Sequence, residues 1–236
     1  MNRHVLFIAG EDEYKSEVTL PALAKEVAAE LGVRTTVVAA PDPKNPSDIP
    51  GLDALDEADL AVFYIRFRTL PPEQVAPIER YLRAGKPVVG FRTSTHGFRY
   101  PEGHPLSAWN QFGAKVLGAP WLYHYGHESS TDVSVRDGAH GHPILQGVPS
   151  RFHVRSWLYH VVPDYPPPDA RVLLVGNSVG PSPRPVRQEN PVAWTWRHWG
   201  GGPVFTTTMG HPADFEVPAF RRLCLNGIRW ALGGEN

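Results

Sequence analysis

The sequence holds a single cysteine, Cys224, in 236 residues. It therefore has too little sulfur for an internal disulfide or a cysteine-based zinc site, and a reducing, cytoplasmic environment is the expectation. A surplus of charge is missing too: 23 Lys and Arg face 24 Asp and Glu, for a formal net charge of −1. Without a basic excess, neither nucleic acid nor a membrane surface is expected as a partner. No apolar run approaches the roughly 20 residues of a membrane span. The opening stretch Met1 to Gly10 has neither the long apolar region nor the cleavage site of a secretory leader. Lysine is scarce, 5 against 18 arginines. Anion recognition is one reading of that ratio, and GC-rich coding, which also fits the abundant Pro and Ala, is the plainer one.

What is present suits one α/β domain over residues 1–236, since 42% hydrophobic residues can fill a single core. Val5 to Ala9 is a continuous apolar run ending at Gly10, the pattern of a parallel strand buried on both faces. Val18, Leu20, Leu23, Val27 and Leu31 form a helical stripe that starts near a Ser or Thr cap and stops at Gly32. Strands are expected at Arg34 to Ala40, Asp59 to Ile65 and Lys86 to Phe91, with a helix at Pro72 to Ala84. Periodicity fades between Thr93 and Pro168, where Trp, Tyr, His, Gly and Pro are dense and binding loops are the expectation. Strands return at Arg171 to Gly176, Pro191 to Trp196 and Pro203 to Thr208, and a last helix places Val217, Phe220, Cys224, Ile228 and Ala231 on one face. The Gly/Pro runs at 166–168, 181–185 and 200–203 read as loop punctuation within that domain.

Parallel sheets bind ligands beyond the carboxyl ends of their strands, so the residues after each strand are the candidates. After the first strand come Glu11, Asp12 and Glu13, which either cap the following helix or meet a substrate, Glu11 being the binding candidate. After the third come Arg66 and Arg68, able to fork onto a substrate oxygen or to pair with those acids. The fourth ends in an elbow, Arg92-Thr93-Ser94-Thr95-His96-Gly97, at the place where α/β hydrolases and amidotransferases expose a nucleophile. Hydroxyl attack from Thr93, Ser94 or Thr95 would need His96 as base, and adjacent side chains seldom orient for that. His124 and His127 could contribute to a divalent metal site with His96 or His211. His140 and His142 suggest a solvated turn. The strand at 204–208 delivers His211, followed by Pro212 and Asp214, and this histidine suits general acid or base work.

The elbow, the Gly210-His211-Pro212 strand end, His142-Pro143-Ile144-Leu145, Pro191-Val192-Ala193-Trp194 and the closing Asn226-Gly227-Ile228-Arg229-Trp230-Ala231-Leu232-Gly233 together resemble the ThuA-like, or trehalose-utilisation, family. That family belongs to the class I glutamine amidotransferase-like superfamily. The resemblance implies a flavodoxin-like, doubly wound and mostly parallel sheet, a homo-oligomer, a link to carbohydrate metabolism through keto-glycosides, and in some members a divalent metal. The elbow carries no cysteine, so glutamine hydrolysis through a thioester is not expected. Arg92 stands where many relatives have a histidine, and Arg155-Ser156-Trp157-Leu158-Tyr159 where many have an Asp-Glu pair before a tyrosine, which speaks against the metal.

Beside a hydrolase that uses Ser94 or a neighbouring Thr covalently, two functions remain open. One is an enzyme on a sugar or keto-glycoside in which His211 and His96 exchange protons and Arg92 or Arg66 stabilises an oxyanion, with Glu11, Arg68, Thr93, Ser94, Trp121, Tyr123 and Asp214 binding the small-molecule carbohydrate. Trp157 and Trp194 could stack on sugar faces as well. The other is a non-catalytic sugar-binding or assembly protein of the same fold.

Overall fold

In the computed structural model, which describes residues 3–181 and 188–233, one nine-stranded sheet runs through the molecule. Strands β1 (His4–Gly10), β2 (Arg34–Ala39), β3 (Leu60–Ile65) and β4 (Val88–Phe91) form its first part. The intervening helices are α1 (Ser16–Leu31) and α2 (Pro72–Arg83). After β4 the chain builds a two-stranded ribbon of β5 (Tyr123–His124) and β8 (Tyr159–His160), and adds β6 (Ser130–Val135) and β7 (Arg151–Val154) to the main sheet. It closes with β9 (Arg171–Val179), β10 (Asn190–Arg197), β11 (Pro203–Thr207) and α3 (Pro218–Gly233). The order is β2-β1-β3-β4-β11-β10-β9-β6-β7. The first five strands are parallel and the remaining pairings antiparallel. The parallel part is therefore the flavodoxin-like arrangement, with β11 in fifth place, and the strand order reverses between β1 and β3.

Alternation along each parallel strand explains why both faces are apolar. Val5, Phe7 and Ala9 pack with Leu20, Leu23 and Val27 of α1 and with Phe220 and Leu223 of α3, while Leu6 and Ile8 pack with Ile78 and Leu82 of α2. No helix among the described residues is long and apolar enough to cross a membrane.

Some expectations need correction. Val18 turns outward, 61% exposed. The N-cap of α1 is Lys15, in a left-handed conformation (φ 56°) with no capping side-chain bond, so no Ser or Thr caps this helix. Gly32 ends it as expected, at φ 64°. His142 is buried, accepts the Ile144 amide at 3.2 Å, and is pulled down to about 4 by burial, so it is not solvated. The Gly/Pro run at 181–185 lies, beyond Pro181, outside the described residues.

Candidate functional site

Backbone strain marks the carboxyl ends of the parallel strands. Among the described residues, the non-glycine positions with positive φ are Lys15, Phe67 and Arg92 (φ 56°, 49° and 38°), which follow β1, β3 and β4. Conformations of this kind cost about 1–3 kcal/mol each and persist where the surroundings hold them. Here they surround the point where the strand order reverses.

Arg92 is the centre of the site. Its guanidinium is fully buried and lies over three aromatic rings, 4.6 Å from the Tyr14 centroid, 4.8 Å from Trp157 and 4.6 Å from Tyr159. Nη1 donates to the carbonyls of Thr208 (2.8 Å) and Trp157 (3.3 Å), and Nη2 donates to the Tyr14 hydroxyl at 3.3 Å. No ion pair of Arg92 occurs among the described residues. The cation is held instead by π faces and carbonyl dipoles. Gly210 allows this packing, because at φ 147° an added Cβ would stand 3.1 Å from the Tyr64 hydroxyl and 3.3 Å from the Arg92 Cβ. Arg92 Nε, Thr93 Oγ1 and Trp157 Nε1 are buried without a hydrogen-bond partner.

A rim of half-exposed rings stands around this buried cage. His96 lies 4.9 Å from Phe67, 5.2 Å from Trp121 and 6.2 Å from Tyr159. The β5–β8 ribbon pairs His124 with Tyr159 and so brings His124 beside the cage. His124 is 4.6 Å from His127, and both stand near Trp157, at 5.8 and 4.7 Å. His211 completes the rim, 6.1 Å from both Tyr14 and Trp157. Burial pulls His96 down to about 3, helped by repulsion from Arg66, Arg92 and His124. Burial also holds His124 and His211 below the ordinary histidine value, and Arg92 repels a proton at each. These imidazoles are neutral at pH 7.

Several candidate residues turn out to hold the frame. The buried Glu11 carboxylate accepts the amides of Glu13, Tyr14 and Ser16 at 2.6 to 2.7 Å. It closes the turn into α1 and has no surface to offer a substrate. Asp214 is likewise buried and accepts five donors: the amides of Arg155, Ser156, Gly210 and His211, and the Ser156 hydroxyl at 2.5 Å. It orients the His211 backbone and not the imidazole, so it is not a triad acid. Arg68, 2% exposed, donates to the carbonyls of Arg66, Asn45 and Pro43 and pins the loop after β2. The Ser94 hydroxyl donates to the Phe63 carbonyl (2.9 Å) and accepts the Ile65 amide (3.1 Å), which staples the elbow to β3. Thr95 donates to the Arg92 carbonyl at 2.9 Å. Neither Ser94 nor Thr95 therefore presents a free hydroxyl, and the unpartnered Thr93 hydroxyl is fully buried. Trp194 is core, its indole N–H donating to the Leu117 carbonyl at 2.9 Å. Cys224 is buried in α3, where burial pushes its thiol up.

Arg66 does reach the rim, where it pairs with Asp12 (2.8 Å) and Glu13 (3.3 Å) as the alternative reading foresaw. Trp121 stays 36% exposed beside His96, and Tyr123 stacks on His160 at 4.3 Å. His124 and His127 meet, but among the described residues no group of three or more His, Cys, Asp or Glu is placed to hold a metal ion. The Nδ1 of His124 is already engaged by the Tyr125 carbonyl at 2.5 Å. The residues present do not fit the divalent metal that the resemblance raised. Sequence reasoning missed Tyr14 and Tyr159 as walls of the cage, because neither pairs with Arg92 through any local spacing.

The family model ThuA, described as trehalose utilisation, matches residues 4–231. This chain belongs to the ThuA family. Membership ties it to a role related to trehalose utilisation. Among solved structures, a protein described as ThuA-like from Parabacteroides merdae ATCC 43184 superposes with a TM-score of 0.71 at 18% identity, over 100% of this chain and 91% of that one. The cytoplasmic protein STM3548 from Salmonella typhimurium superposes with a TM-score of 0.59 at 12% identity, over 95% of this chain and 97% of that one. At such identities the likeness is one of fold. No curated protein matches the sequence significantly.

Proposed function

We propose that this ThuA-family protein is an enzyme acting on a sugar or keto-glycoside by histidine-based general acid/base chemistry. The observation that carries the reading is the rim itself. His96, His124, His127 and His211 stand with Trp121 around a buried cation at the carboxyl ends of the sheet, where α/β folds of this kind bind ligands. Aromatic faces suit the C–H faces of a sugar ring, the neutral imidazoles of His96, His124 and His211 suit proton transfer, and the Arg92 charge favours an oxygen that becomes negative. With the Ser94 and Thr95 hydroxyls saturated and Thr93 fully buried, proton transfer is the chemistry at hand.

A binding-only reading draws support from Glu11 and Asp214, two buried carboxylates taken up by backbone amides and, for Asp214, by the Ser156 hydroxyl. A turnover screen of methyl glycosides and their 3-keto derivatives, run beside His211→Ala and His96→Ala, separates the two. Turnover by the wild type that falls in the His211 variant supports the enzyme. Saturable binding with no turnover of any compound supports the binding module.

A further inference from the structure

We infer that the backbone locks His124 and His211 into opposite tautomers, so that His124 presents a proton acceptor and His211 a proton donor to one ligand carrying a carbonyl group. The inference rests on the enzyme reading above and names the labour of two rim residues within it.

A carbonyl oxygen can only accept, so the 2.5 Å contact of His124 Nδ1 with the Tyr125 carbonyl places the proton on Nδ1. The Nε2 of a neutral His124 is then a bare lone pair. A backbone amide can only donate, so the 3.1 Å contact from the Ala213 amide makes His211 Nδ1 the acceptor. The proton of a neutral His211 must then sit on Nε2. Burial keeps both rings neutral at pH 7, so neither tautomer is lost to protonation. Both rings stand at the Trp157 indole, at 5.8 and 6.1 Å, and Trp157 covers the Arg92 guanidinium at 4.8 Å.

His96 is the poorer base. The Thr95 hydroxyl gives its only proton to the Arg92 carbonyl, so its 3.3 Å contact with His96 must be donated by the His96 Nδ1–H. Its Nε2 is also a lone pair, but burial has taken its affinity for a proton down to about 3, too low for efficient abstraction at neutral pH.

An acceptor and a donor of this kind suit removal of a proton from the carbon beside a carbonyl. The C–H bond breaks and its electron pair becomes the C=C of an enolate, while the carbonyl π pair moves onto oxygen. The proton passes to His124 Nε2, and the enolate oxygen accepts a hydrogen bond from His211 Nε2–H within the field of Arg92. Reversal returns a proton to the carbon, so in heavy water the substrate gains deuterium there.

The test pairs spectroscopy with exchange. Long-range 1H–15N spectra of the histidine-labelled protein at pH 7, assigned with His124→Asn and His211→Asn, should show His124 protonated on Nδ1 and His211 on Nε2. Asparagine keeps each backbone contact, because its amide can donate to Tyr125 or accept from Ala213, and removes only the Nε2 position. Deuterium uptake by methyl 3-keto-glucoside in heavy water should be accelerated by the wild type. It should fall about 100-fold in His124→Asn, the scale of a lost general base, and about 100-fold in His211→Asn, the scale of a lost oxyanion donor. The opposite tautomer at either ring overturns the inference, as does exchange that survives His124→Asn unchanged while the enzyme reading stands. Absence of any protein-dependent exchange by the wild type overturns the inference, and the enzyme reading falls with it only where the turnover screen is blank as well.

Discussion

Two sets of polar side chains meet at the carboxyl ends of the parallel strands, and they differ in what their polar atoms face. In the frame, Glu11, Asp214, Arg68 and Ser94 point at backbone amides and carbonyls and are saturated there. On the rim, His96, His124 and His211 each give Nδ1 to a local partner, and among the described residues their Nε2 atoms make no hydrogen bond. The difference teaches where to look for chemistry in such a site. An acid or hydroxyl that answers an amide is architecture, whereas a half-engaged imidazole has both a fixed orientation and a free valence.

If that division is right, the largest effect on stability belongs to the frame. Asp214→Ala removes the carboxylate that five donors share and should destabilise the protein by about 3 kcal/mol or more, read as a lowered midpoint in urea denaturation; a loss under about 1 kcal/mol would erase the distinction. Ser94→Ala should cost about 1 kcal/mol, the scale of a buried hydrogen bond, and leave turnover unchanged, since its hydroxyl links β3 to the elbow and attacks nothing. Loss of activity without loss of stability would return Ser94 to the rim. The smallest effect is a pH dependence. His96 and His142 have folded values of about 3 and about 4, below the ordinary 6.5. Between those values and 6.5 the unfolded chain binds more protons, so their contribution is complete above pH 6.5 and fades as pH falls. The slope of urea midpoint against pH from 6.5 down to 4.5 should be shallower in His96→Asn than in the wild type.

The parallel half of the fold was legible because strands covered on both faces appear as unbroken apolar runs, and α2 and α3 repeat with helical period and end at glycine. The stretch from 93 to 168 was not, because much of it is loop and its ribbon strands are short. β5 and β8 have two residues each, too few for any period to appear, and β7 lies at the sheet edge, where only alternate burial is needed. At the proposed site the sequence pointed to the strand ends beside the buried cage and to His211, His96 and Arg92. It could not tell an acid that closes a turn from one that meets a substrate, since Glu11 and Asp214 are written the same way in either role. Nor could it bring Trp157 to Arg92 across a separation of 65 residues.

The place of β11 in the sheet bears on how the chain comes to be folded at all. It lies between β4 and β10, aligning Val204 with Val88 on one side and Thr206 with Trp194 on the other. Of the strands described, the one that unites the two halves is thus the last to be synthesised. Until Pro203 to Thr207 emerge, β4 and β10 each keep an open, apolar edge of the kind that recruits other chains. Loop closure of this length also slows folding. A nascent chain halted short of residue 203 should for that reason be a strong client for chaperones, and a truncated product a nucleus for aggregation.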